Sequence, residues 1–142
     1  MLAKRLLIAA AAVLAMSACT TSKVGAPDLA GPSGLALTLD ITASPDQLFR
    51  DGVSQSVIEI TATDGNGQRV ANLGLTVAAS PNLGTIQTPS LKTNASGKAS
   101  TTFVAPGMGG TTTATITVTP GGSNYQNVAP RTITVRLFQP SS

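Results

Sequence analysis

The chain has 142 residues, 42% hydrophobic, 3% aromatic and 11% charged, a length suited to one ordinary domain with appendages. It contains no His and one Cys, which excludes the commonest general base, the commonest transition-metal ligand, internal disulfides and Cys-pair metal sites. The net charge is +3, and no run of Lys or Arg interleaved with aromatics supports a nucleic-acid partner.

The first element in chain order is an export signal. Lys4 and Arg5 precede an apolar run from Leu6 to Ala15, and small residues follow; the run is too short to span a bilayer and carries no helical stripe. The next four residues, Met16, Ser17, Ala18 and Cys19, resemble the lipobox of bacterial lipoproteins. That resemblance implies cleavage between Ala18 and Cys19, a diacylglycerol thioether on the Cys19 sulfur and acylation of the new amino group. Two or three acyl chains at about 0.8 kcal/mol per buried CH₂ anchor a protein durably. A membrane partner through Cys19 follows, and Thr20 after the Cys fits the enterobacterial habit of outer-membrane sorting. Losing Lys4 and Arg5 leaves seven basic residues against six acidic, so the pI near 9.5 belongs to the precursor.

With the signal at 1–18, residues 19–34 form the lipidated Cys and a tether. Gly, Pro, Ser, Ala and Thr dominate this stretch, which buries too little surface to offset its ordering entropy. Its flexible reach is roughly 20 Å.

Residues 35–138 change to period two. Leu35, Leu37, Leu39 and Ile41 alternate with polar or small residues, as do Ile58, Ile60 and Ala62, then Ala114, Ile116 and Val118, then Ile133, Val135 and Leu137. Leu75, Val77 and Ala79, and Ala99, Thr101 and Phe103, give weaker versions. Each run has one apolar face and one wet face, as antiparallel strands do. Breakers lie between them, including Asp51-Gly52, Asp64-Gly65-Asn66-Gly67, Asn94-Ala95-Ser96-Gly97 and Pro120-Gly121-Gly122; the Asn-Gly pair predicts a hairpin. The pattern predicts an all-β sandwich of about seven antiparallel strands, its core of Leu, Ile, Val and Ala packed around Phe49 and Phe103. Residues 139–142 are a tail.

On these turns the chain resembles the bacterial immunoglobulin-like domains of the invasin and intimin type, known as Big-1. The matching segments are Leu48-Phe49-Arg50-Asp51-Gly52, the Thr-rich stretch Ser56 to Thr63, Asp64 to Val70, and Thr93-Asn94-Ala95-Ser96-Gly97-Lys98-Ala99. Arg69 stands where the family usually has Pro. The resemblance implies a single immunoglobulin-like sandwich, work by display and contact, and no catalytic residues or cofactor.

Candidate sites are few. Asp64 to Gln68 alternates oxygen side chains like a calcium loop, but Arg69 and Leu75 occupy the positions where Gly and Glu are needed, so the hairpin reading is preferred. Asp40, Asp46 and Asp51 read as solvated turn residues. Gly107-Met108-Gly109-Gly110 lacks the Lys and following helix of a phosphate cradle. Lys98 and Ser100 share a strand face, yet neighbours on a solvated face read as surface residues and not as a dyad. Two partner sites remain: the opening strand at Leu37, Thr38 and Leu39, read as an exposed edge guarded only by Asp40, and Tyr125, the only Tyr, in a polar loop. The function these support is a non-enzymatic envelope lipoprotein presenting a module for protein interaction, adhesion or structural support. The alternative is a polysaccharide-binding module built on the Tyr125 loop.

Overall fold

Period-two alternation becomes nine strands in residues 36–139, the part of the chain that the computed structural model describes. The export signal, the Ala18–Cys19 cleavage site, lipidation of Cys19, the tether, Leu35 and residues 140–142 lie outside the described residues. The strands are β1 (Leu37–Ser44), β2 (Gln47–Phe49), β3 (Gln55–Asp64), β4 (Gly74–Ala79), β5 (Thr85–Ile86), β6 (Ser90–Lys92), β7 (Lys98–Val104), β8 (Thr112–Pro120) and β9 (Arg131–Phe138). One turn of 3-10 helix spans Ser123–Tyr125 between β8 and β9.

Two sheets result, one in the order β1-β3-β7-β5 and the other β2-β9-β8-β4-β6. Their inner faces carry the predicted apolar sets: Ile58, Ile60 and Ala62 from β3, Ala114, Ile116 and Val118 from β8, and Val135 and Leu137 from β9 are all fully buried. Alternation places the intervening Glu59, Thr61 and Thr117 on the outer faces. The fold is therefore an all-β immunoglobulin-like sandwich.

Three features differ from the sequence reading. The strand count is higher because β2, β5 and β6 are two or three residues long, too short for alternation to reveal. Not every pair is antiparallel: β1 stops at Pro45, which has no N–H to give a ladder, and the chain crosses to the other sheet, where β2 runs parallel to β9. Phe49 is not a core residue. Leu48 takes the inward position on β2 at 5% exposure, so the next residue must point out, and Phe49 is 56% exposed. Phe103 alone is the aromatic centre of the core.

The Asp64-Gly65-Asn66-Gly67 turn closes as a hairpin only locally. Thr63 bridges Arg69, and then the chain leaves for the second sheet, so β3 and β4 are not partners. The registers put the start of β1, the 64–68 and 94–97 turns and the 121–125 segment at one end of the sandwich. The 50–54 and 105–111 loops and the end of β9 lie at the other.

Candidate functional site

The first candidate is the outer edge of β1, which among the described residues pairs only with β3 and is the terminal strand of its sheet. Which of its backbone groups are free follows from β3. The Ala62 N–H donates to the Gly97 carbonyl at 2.8 Å and the Ala62 carbonyl accepts from Val70 N–H at 3.1 Å, so both groups of Ala62 face away from β1. In an antiparallel ladder a residue's N–H and C=O point the same way and alternate along the strand. Leu39, the partner of Ala62, therefore turns its N–H and C=O toward the open edge, as do Leu37, Ile41 and Ala43. Thr38, Asp40 and Thr42 face β3.

The predicted edge residues thus divide their roles. Leu39 is 5% exposed and its side chain is core; Leu37 is half-buried against that core; only the Thr38 side chain faces solvent. A partner meeting this edge meets backbone at Leu37 and Leu39 and side chain at Thr38. Neither Lys nor Pro interrupts the stretch Leu37–Ser44, and Asp40 is its only charge.

The second candidate is a groove of about 620 Å³ beside β6, lined by Asn72, Gly74, Thr76, Lys92, Gly121 and Tyr125 among others. Its walls come from three distant segments. Asn72 and Leu73 both oppose Thr93, a bulge that Asn72 accommodates in the left-handed region at φ 57. The Asn72 N–H donates to the Thr93 carbonyl and the Leu73 N–H to Thr93 Oγ1, which in turn donates to the Val70 carbonyl at 2.6 Å. Buried Thr93 thereby satisfies the extra residue and fixes the groove wall. Gly121 N–H donates to the Gly74 carbonyl, closing the floor, and half-buried Tyr125 packs against the core beside it. β1 and Tyr125 do not form one site: β1 edges one sheet, and the groove opens beside β6 at the edge of the other.

The remaining candidates are occupied by local structure. Asp64 accepts from the Asn66 and Gln68 amides at 2.9 and 2.8 Å, which stabilises its turn. Asp51 accepts from the Ser54 hydroxyl at 2.6 Å and from the Ser54 and Val53 amides at 2.6 and 2.9 Å. These bonds, the Ser54 hydroxyl first, hold its carboxyl down at about 2. Lys98 pairs with Glu59 at 2.7 Å on the exposed face, leaving Ser100 without a base. Arg50 Nη1 donates to the Gly110 carbonyl, so the Gly107–Gly110 segment is tied down as a loop. Among the described residues no three of His, Cys, Asp and Glu gather to hold a metal.

The sequence reading missed the groove floor and Lys92. The available signal was Gly74 at the head of a strand, where glycine marks a bulge or a close approach.

Among curated proteins none matches this chain. The solved D00-D0 domain of intimin superposes with a TM-score of 0.60 at 17% identity, over 72% of this chain and 47% of that one. A 282-residue C-terminal fragment of intimin, solved in complex with the intimin-binding domain of the translocated intimin receptor, gives 0.57 at 17% identity over 72% and 33%. The Yersinia pseudotuberculosis adhesin InvE gives 0.56 at 27% identity over 72% and 28%. The chain thus spans less than half the length of each of these structures. The model of the family described as invasin, domain 3, matches residues 36–137, nearly the whole sandwich, and this chain belongs to that family.

Proposed function

We propose that this chain is an envelope lipoprotein, cleaved between Ala18 and Cys19 and anchored by acyl chains on Cys19, that presents its sandwich on the 19–34 tether to a protein partner. The observation that carries the contact is the open β1 edge, whose free N–H and C=O groups at Leu39, Ile41 and Ala43 offer a template for strand addition. Support comes from the family, since the intimin fragment in the complex described above holds a protein partner. The role is adhesion or structural contact without turnover: the Asp51 and Asp64 carboxylates are engaged by their own turns and Lys98 by Glu59.

The test uses proline, which removes a donor without removing a strand. Ala43→Pro deletes an outward N–H from a small half-buried residue, whereas Thr42→Pro deletes one that serves β3. In photo-cross-linking within native envelope, Ala43→Pro is expected to lose the partner band while keeping its melting temperature, and Thr42→Pro to lose stability. A band unchanged in Ala43→Pro would refute the edge. Labelling with an alkyne fatty acid tests the anchor separately: label is expected on the wild type and absent from Cys19→Ala, and equal label on both would refute lipidation.

A further inference from the structure

The groove beside β6 has the makings of a ligand site independent of the β1 edge. Its volume of about 620 Å³ falls within the range of small-ligand sites, about 300–1,000 Å³. Its floor is glycine: an added Cβ at Gly74 meets nothing within 4 Å, and Gly121 lies against the Gly74 carbonyl. Half-buried Tyr125 lines one wall, and Asn72, Asn124, Ser90 and Thr76 bring amides and hydroxyls to the lining. Lys92 is the only charged residue lining it, and Lys92 has no salt-bridge partner among the described residues.

Each feature narrows the occupant. An aromatic face with amide and hydroxyl groups around it suits a pyranose ring, whose C–H face packs on the ring while its hydroxyls hydrogen-bond at the rim. A lone ammonium with no carboxylate opposite favours an anionic group on that ligand. A peptide added as a strand is a poor fit. The Pro89 carbonyl accepts from Val77 N–H on β4 and the Thr93 N–H donates to the Leu73 carbonyl just before it, so those residues face inward and only Ser90 and Lys92 on three-residue β6 turn backbone groups outward. Among the described residues that line it there is no carboxylate.

We infer that this groove binds an acidic saccharide, a uronate-containing oligomer, with Tyr125 as the stacking platform, Lys92 as the carboxylate partner and Gly74 as the open floor. The full-length chain, ¹⁵N-labelled and held in detergent, is titrated with oligogalacturonate and alginate oligomers and with neutral malto-oligosaccharides. Amide shifts are expected at Gly74, Lys92 and Tyr125 with the uronates. Gly74→Leu fills the floor from a strand position with no left-handed backbone, so it is expected to abolish binding at an unchanged melting temperature. Lys92→Gln, an exposed change with no folding consequence, is expected to weaken uronate binding by about tenfold, as the loss of one charged contact does. Tyr125→Phe keeps the platform and is expected to retain binding. Failure of either uronate series to bind, equal binding of the neutral oligomers, or binding that survives Lys92→Gln undiminished would overturn the inference, and none of these outcomes touches the β1 edge or Cys19.

Discussion

The interior of the sandwich and its two ends are held by different physics. Inside, β3, β8 and β9 meet through fully buried Ile, Val, Leu and Ala side chains, and order comes from area removed from water. At the ends, single polar side chains replace area: Asp64 and Asn94 each accept two amides of their own turns, Asp51 caps the 51–54 loop, and Thr93 satisfies the bulge. The edge strand β1 lies between these regimes, with one fully inward residue, Leu39, and three half-buried ones. The two surfaces proposed as contact sites, the β1 edge and the groove, lie away from the fully buried centre of β3, β8 and β9.

That contrast predicts its largest effect in the interior. Ile116→Ala removes a fully buried side chain from the centre of β8 and is expected to cost about 2–5 kcal/mol in urea unfolding. Ile41→Ala makes the same deletion on half-buried β1 and is expected to cost about 1 kcal/mol, because less area leaves the core and the edge can relax. Equal losses would mean that β1 is as tightly held as the centre, and the edge would then be a poor place for a partner to enter.

How much of this was legible in the sequence follows the same division. Strands of six or more residues declare themselves by alternation, and the inward sets read from β3, β8 and β9 are the buried ones, except that Ile133 at the start of β9 is only half-buried. In three-residue β2 there is too little pattern to phase, which is why Phe49 was placed on the wrong side while Leu48 held the core position. The turns were legible where Asp or Asn precedes Gly, because the carboxylate or amide and the left-handed glycine do different halves of one job. Gly97, at φ 69, packs so closely on the Ala62 carbonyl that a side chain there would have to displace backbone. The groove was not legible, since Gly74, Lys92 and Gly121 come together only through the pairings of β4 with β6 and β8. Nor could alternation say that Thr38 offers its side chain but not its amide: that depends on the register with β3.

A second, smaller effect sharpens the account of the ends. The Asp51 carboxyl is lowered from 3.8 to about 2 by the Ser54 hydroxyl and the Ser54 and Val53 amides. A carboxyl depressed by folding contributes stability that is complete above its unfolded value and is lost as pH falls from about 4 through about 2. Asp51→Asn cannot titrate, so the wild type is expected to be the more stable above pH 4, with the gap in denaturation midpoint narrowing toward pH 2. A gap that does not change with pH would show that the cap acts through its shape and not its charge.

The smallest expected effect comes from a residue that violates the division, a polar side chain inside the sandwich with no partner among the described residues. Ser56 on β3 is fully buried opposite Phe103, and its Oγ has no hydrogen-bond partner among the described residues. A buried hydroxyl left unbonded has lost its water and gained nothing in return. Buried Thr93 is the control, because its Oγ1 both accepts from Leu73 and donates to Val70. Ser56→Ala removes only one oxygen, and relief from desolvation opposes the small void it leaves. The variant is therefore expected to match or exceed wild-type stability, within about 1 kcal/mol, while Thr93→Ala, which orphans two backbone groups, is expected to lose about 1–3 kcal/mol. Urea midpoints of the two variants decide it: a loss at Ser56 as large as the loss at Thr93 would mean that the hydroxyl is bonded in solution, and that the interior relies on polar pairing as the ends do.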